Sequence, residues 1–270
     1  MDFIKAMVIA VIEGLTEFLP VSSTAHMIFM SSVFGIEEDN FVKMYQVSIQ
    51  FGAILAVVVL YSKKFFDFKN VYFYLKLVLA VLPALVLGKL FNEKIDLILE
   101  KPIPIAIVLI IGGVVLLFID RIFKNPSIDS EKNVSYKSAL IIGFWQCLAM
   151  MPGTSRSAAS IIGGMQQKLT RKAAAEFSFF LAVPTMLAVT VYSLFLKNWG
   201  TYGGEKKGYE LLLHDNYLML FLAGNMVAFL VAMLAVRFFI GIISRHGFKP
   251  WGWYRIIVGS ILLSYLIFIR

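Results

Sequence analysis

The chain has 270 residues, of which 59% are hydrophobic and 16% charged, with a formal net charge of +8 and a mean hydropathy of +0.80. A soluble domain carries roughly 45–50% apolar residues, so the excess excludes a water-facing globule. The positive charges lie in short stretches between apolar runs, where topology and anionic lipid explain them and nucleic acid is not needed, and the single cysteine, Cys147, excludes an internal disulfide or a cysteine-rich metal centre.

Taken in chain order, the opening Met1-Asp2-Phe3-Ile4-Lys5 makes a weak signal n-region, and Glu13 and Glu17 interrupt the apolar run behind it. The first segment is therefore expected to stay in the mature protein. Segments 3–19 and 24–35 are too short or too interrupted to span, and they meet at Pro20-Val21-Ser22-Ser23-Thr24. Such short apolar segments read as a re-entrant hairpin over 3–35. Three spans follow at 44–62, 71–91 and 103–120, each near the roughly 20 residues a bilayer requires. Segments 136–151 and 155–166 repeat the short pattern around Pro152-Gly153-Thr154-Ser155-Arg156-Ser157, giving a second re-entrant hairpin over 136–166. Spans at 173–196, 217–240 and 251–269 complete the chain.

The order hairpin, then three spans, occurs twice. Pro20 and Pro152 are 132 residues apart, as are Leu55-Ala56-Val57 and Leu187-Ala188-Val189. Three spans per half is odd, so repeat two, 134–270, is inverted relative to repeat one, 1–125. The expected fold is thus an all-α polytopic membrane protein, a single membrane domain over 1–270. It is an inverted-topology repeat with six transmembrane helices plus two re-entrant helical hairpins. Broken helices at such a repeat interface mark a binding site near the midplane. More of the lysines and arginines fall on the side away from the N terminus, among them Lys63, Lys64, Arg121, Lys124, Arg171 and Arg255. The positive-inside rule puts both termini on the outer side.

Ionisable residues inside apolar segments are functional by default. Glu13 and Glu17 are one helical turn apart and share a face. Two carboxylates that close require a shared proton, an arginine or a divalent metal, and Mg2+ and Ca2+ both favour such oxygens. Ser22, Ser23 and Thr24 stand where a helix begins, and free N–H groups there suit a phosphate. His26 lies three residues after Ser23, within reach of it on the first turn, and histidine is the usual acid or base near neutral pH. In the second break, Arg156 is the only basic residue between Lys137 and Lys168, and its planar fork matches phosphate oxygens. Gly153 allows close backbone approach, Thr154, Ser155 and Ser157 offer caps, Ser160 shares the Arg156 face, and Gln146 precedes the break.

The motif Glu13-Gly-Leu-Thr-Glu17-Phe-Leu-Pro-Val-Ser-Ser-Thr-Ala-His26, with Pro152-Gly-Thr-Ser-Arg-Ser-Ala-Ala-Ser160, resembles the undecaprenyl-diphosphate phosphatases of bacteria, the bacitracin-resistance type. The resemblance runs over essentially the whole chain, including Gln146-Cys147-Leu148-Ala149 and Glu176-Phe177-Ser178-Phe179-Phe180-Leu181-Ala182-Val183-Pro184. It departs at Ala25, often Gly in that family, and at Ser160, often Thr. The resemblance implies hydrolysis of undecaprenyl diphosphate to undecaprenyl phosphate, the lipid carrier for cell-wall precursors, at the bacterial cell membrane. It implies a divalent cation, with Glu13 and Glu17 in metal or acid–base roles; their oxygens suit Mg2+ or Ca2+. It also implies that Ser23 and His26 are catalytic and that Arg156 binds the diphosphate. With Glu17 they make the expected catalytic set, and the two breaks themselves make Ser22, Thr24, Gly153, Thr154, Ser155, Arg156, Ser157, Ser160 and Gln146 the expected substrate contacts. Whether Ser23, His26 or water is the nucleophile stays open, as does assembly as a homodimer. The competing function on the same residues is a lipid-phosphate flippase, because inverted repeats with broken hairpins are also a transporter plan.

Overall fold

In the computed structural model, residues 1–67, 70–99, 101–201, 204–214 and 216–268 are described. The last two residues of the span expected at 251–269 and of repeat two thus include positions outside the described residues.

The helices follow the apolar segments. Helix α1 covers Phe3–Thr16, started by Asp2, whose carboxylate accepts from the Lys5 amide at 2.8 Å. Helix α2 covers Ser23–Val33. Helices α3 (Asn40–Ser48) and α4 (Gln50–Leu60) run almost continuously as one span, Asn40–Leu60. The short α5, Ser62–Phe65, precedes α6, Val71–Leu99, and α7, Pro102–Ile122. After a 3₁₀ turn at Glu131–Asn133 come α8, Tyr136–Cys147, and α9, Arg156–Gln166. Helix α10, Arg171–Val191, continues through a π-helical turn, Tyr192–Leu196. An antiparallel pair, β1 (Asn198–Thr201) and β2 (Gly204–Lys207), leads to α11, Gly208–Leu212. Helices α12, Tyr217–His246, and α13, Lys249–Phe268, end the described chain.

Six segments are long and apolar enough to cross a membrane: Asn40–Leu60, Val71–Phe91, Pro102–Ile122, Arg171–Leu196, Tyr217–His246 and Lys249–Phe268. They correspond to the six expected spans, and the chain is a multi-pass helical membrane protein. Large apolar side chains stand exposed along them, including Leu82, Val86, Ile111, Phe118, Leu230 and Phe238. In water such a belt would aggregate; in hydrocarbon it costs nothing. Between the spans, α1 and α2 make one short helix pair and α8 and α9 another, each broken where proline forbids continuation.

The packing is crosswise. Helix α1 lies against α12, α8 lies against α6, and α7 lies along α13. The crossings depend on missing side chains. A Cβ on Gly14 would sit 2.6 Å from the Ala228 carbonyl oxygen, and one on Gly143 would run into the Ala80 carbonyl. Each short pair is thereby pressed into the opposite half of the chain. The largest apolar core gathers where α4, α10 and α12 meet, around Phe18, Phe177, Phe179, Phe180 and Phe239.

Candidate active site

The two proline breaks build the site. Both end in a serine N-cap with a left-handed φ, Ser22 at 69° and Ser155 at 74°. A non-glycine residue there costs of order 1–3 kcal/mol, and such strain persists only where surrounding structure enforces it. Ser22 stands two residues after Pro20 and Ser155 three after Pro152, so a left-handed serine follows each break. Each turn presents the open amides of a helix start, those of α2 and α9.

A chain of short hydrogen bonds joins the breaks. Ser23 Oγ donates to Glu17 Oε2 at 2.6 Å. Arg156 Nη2 donates to Glu17 Oε1 at 2.8 Å. Arg156 Nη1 donates to the Ser178 carbonyl at 3.1 Å and approaches its hydroxyl at 3.4 Å. Ser160 Oγ lies 2.6 Å from Ser178 Oγ and donates to the Arg156 carbonyl at 2.9 Å. Ser157 Oγ donates across to the Leu19 carbonyl at 2.7 Å, with Ser155 Oγ beside it at 3.1 Å. Glu13 is fully buried, and neither of its carboxylate oxygens has a hydrogen-bond partner among the described residues.

Glu17, Ser22, Ser23, Thr24, Gln146, Ser155 and Arg156 line a cavity of about 1420 Å³. Its walls are largely apolar, with Met27, Ile28, Leu85, Ile103, Met186 and Val189 among them. Charged residues line it where α3 and α7 begin and α10 ends: Glu37, Glu38, Lys43, Lys89, Lys101 and Lys197. That is the end of the molecule on which α1 starts. The arrangement is a polar floor with a serine hydroxyl, a carboxylate and a guanidinium, under an apolar channel with a charged mouth.

Not every expected site residue reaches this floor. His26 Nδ1 donates to the Ser22 carbonyl at 2.8 Å, which leaves Nε2 to accept from the Tyr254 hydroxyl at 2.9 Å. The His26 and Tyr254 rings stack with centroids 5.6 Å apart. Histidine and Ser23 share one helical turn, yet the structure does not hydrogen-bond them. Ser157 and Ser160 are buried supports, 0% and 1% exposed, that hold the second break and Arg156 in place. Gly153 and Thr154 contribute carbonyls, turned toward Arg255. Gln146 lines the cavity and donates to Thr185 at 3.1 Å, while its own carbonyl oxygen is buried without a partner.

Four residues escaped the sequence reading. Ser178 and Thr185, on α10, hold Arg156 and Gln146. Tyr254 and Arg255 reach the breaks from α13. Arg255 was expected among the loop charges that set topology; it is instead 1% exposed inside α13. Its place beside Lys249 disguised it. The signal was an arginine followed by an unbroken apolar run, Ile256-Ile257-Val258, which marks a charge within a span.

The residues present suit a hard divalent cation. Two carboxyl groups face one guanidinium, Glu17 is the one paired with it, and the two Glu13 oxygens lack hydrogen-bond partners among the described residues. No cluster of three or more His, Cys, Asp or Glu occurs among the described residues. The remaining ligands would be water and phosphate oxygens, the pattern usual for Mg2+.

Comparison with known proteins identifies the family. The family model described as "Bacitracin resistance protein BacA" matches residues 6–261. An undecaprenyl-diphosphatase of Flavobacterium psychrophilum is 52% identical over 270 residues, covering 100% of this chain and 98% of that protein. One from Porphyromonas gingivalis is 46% identical over 97% of this chain and 96% of its own. One from Wolinella succinogenes is 44% identical over 98% and 99%.

Proposed function

The chain belongs to the bacitracin resistance protein family, and from that premise we propose that it is an undecaprenyl-diphosphatase. It hydrolyses undecaprenyl diphosphate to undecaprenyl phosphate and inorganic phosphate, which recycles the carrier for cell-wall synthesis and confers bacitracin resistance. One observation carries the chemistry: a serine hydroxyl hydrogen-bonded to a carboxylate that is itself paired with an arginine, on the floor of an apolar cavity.

In the mechanism we favour, the lipid tail lies along the apolar walls and the diphosphate meets Arg156 and the open amides of α2 and α9. Ser23 Oγ attacks the terminal phosphorus while its proton passes to Glu17 Oε2. The bond from that phosphorus to the bridging oxygen breaks, and undecaprenyl phosphate leaves. Glu17 returns that proton to the departing undecaprenyl phosphate, then takes one from the water that attacks the phosphoserine and gives it to the Ser23 oxygen as inorganic phosphate departs. When bound, a divalent cation held by Glu13 with Glu17 supplies charge neutralisation on the phosphate oxygens. Glu17, rather than His26, is the base in contact with Ser23. For His26 to act directly, as the resemblance implies, its ring must leave Tyr254.

The crosswise packing supports an inverted repeat, with α1–α2 and α8–α9 as hairpins entering from opposite sides. With both termini outside, the cavity opens to the outer face of the cell membrane. Phosphate release in detergent tests the function, because no sides exist there for a flippase to connect. We expect release by the wild type and its loss in Arg156→Ala. Binding of lipid diphosphate without release from any such substrate would favour the flippase. Quenching mid-turnover distinguishes the nucleophiles: an acid-stable phosphoserine at Ser23 is expected, an acid-labile phosphohistidine would move the role to His26, and no labelled residue would leave direct attack by water.

A further inference from the structure

Arg255 is a buried charge that this chemistry does not use. Its hydrogen bonds all go to backbone carbonyls: Nε to Leu109 at 3.2 Å, Nη1 to Pro20 at 3.3 Å and Thr154 at 2.9 Å, and Nη2 to Gly153 at 2.7 Å. No carboxylate among the described residues pairs with it, and it is not on the cavity wall. An unpaired guanidinium inside a membrane protein is expensive. Mere filling of that space would be met more cheaply by an apolar side chain.

What distinguishes the acceptors is where they lie. Pro20 belongs to the first break, and Gly153 and Thr154 to the second, 132 residues further on. Leu109 adds a fixed point on α7, so one planar group bridges both breaks to the α7–α13 pair. In a trans peptide the N–H points opposite to the carbonyl. Holding the Pro20 and Thr154 carbonyls therefore also aims the amides of Val21 and Ser155, at the entry to the two strained N-caps. Ser23 and Glu17 flank the first break, and Arg156 follows the second.

We propose that Arg255 is a positioning residue for the hydrolysis, holding the two breaks in the register that brings Ser23 and Glu17 to Arg156. The inference rests on the phosphatase reading. It acts through the backbone without touching the substrate, so it should govern turnover rather than substrate affinity. Gly112 offers a way to disturb it with every charge retained. A Cβ there would run into Arg255 Nη2 and sit 2.6 Å from Cζ, and the three nearest heavy atoms all belong to this guanidinium.

The test is phosphate release by the full chain in detergent, with kcat and KM per folded molecule and thermal unfolding of the same samples. The variants are Arg255→Gln, Arg255→Lys and Gly112→Ala. We expect kcat to fall about a hundredfold in Arg255→Gln, the scale of a misplacement of about 1 Å. Arg255→Lys should recover part of this, and Gly112→Ala should lose about tenfold. KM should stay within about threefold throughout. If Arg255→Gln does not fold, Gly112→Ala decides, since the nearest atoms its added methyl meets belong to the end of a side chain and not to backbone. Wild-type kcat in folded Gly112→Ala and Arg255→Lys would overturn the assignment, as would losses that merely follow the folded fraction. A raised KM at unchanged kcat would make Arg255 a substrate contact instead. Absence of release by the wild type would overturn the phosphatase reading, and this inference with it.

Discussion

Glu13 and Glu17 share one face of α1, but different groups reach them. Glu17 is engaged at both oxygens, by Ser23 and Arg156, while Glu13 has neither oxygen satisfied. The two should therefore fail differently. Glu17→Gln retains an acceptor for Ser23 but no base for its proton, and kcat should fall by about 10²–10⁴-fold. It also strands Arg156, so thermal stability should drop with activity. Glu13→Gln replaces a buried carboxyl group that no hydrogen bond satisfies, and stability should hold or rise. If Glu13 holds the cation, this variant should need at least about tenfold more Mg2+ for half-maximal release. A Mg2+ titration of phosphate release checks both, and an unmoved midpoint in Glu13→Gln would remove Glu13 from the cation site. The carboxylates, the arginine and the hydroxyl run were legible in the sequence because ionisable and polar residues stand out against apolar surroundings. The side-chain directions were not. Spacing along α2 allows His26 to meet Ser23, but a carbonyl one turn back and a tyrosine 228 residues away hold the ring elsewhere.

At the scale of elements, the six spans and both proline breaks could be read from segment length and from Pro20 and Pro152. The partners of each helix could not, because apolar periodicity reports a buried face without naming what covers it. The glycines carry part of that missing information. Gly143 allows α8 to meet the Ala80 backbone on α6, and Gly14 allows α1 to meet Ala228 on α12. A methyl at either place presses on backbone, which cannot swing aside. Gly14→Ala and Gly143→Ala should each destabilise by about 1–3 kcal/mol, the usual scale for overpacking. Gly241, inside α12, has nothing within 4 Å of its would-be Cβ. Gly241→Ala should instead stabilise by up to about 1 kcal/mol through helix propensity. Thermal unfolding of the three variants in one detergent measures the contrast. Three equal shifts would mean that these crossings are not limited by contact.

For the whole molecule, the question is what joins the halves at the end opposite the cavity mouth. Lys64, just after the first span, reaches Glu131 in the linker between the halves at 2.8 Å and Glu176 near the start of α10 at 3.0 Å. Burial alone would push the Lys64 ammonium down and the Glu131 carboxyl up. Their hydrogen bond and attraction outweigh this, and leave Lys64 above its ordinary value and Glu131 below its ordinary 4.5. A depressed carboxyl stabilises the fold above its unfolded value and loses that contribution as pH falls through the folded one. A raised ammonium contributes below its unfolded value of 10.5 and loses that contribution as pH rises through the folded one. The Lys64–Glu131 pair is thus fully effective between those limits, which includes neutral pH. Lys64→Met strands two carboxylates and should cost about 1–2 kcal/mol at pH 7, a figure discounted because the lysine side chain is 37% exposed. On acidification toward and below pH 4.5 the stranded carboxylates of the variant take up protons, while the wild type loses its ion pairs. The gap between the two should therefore close as pH falls. Unfolding curves of both proteins from pH 7 downward give that gap directly, and one that stays constant would show that Lys64 contributes by packing and not by charge.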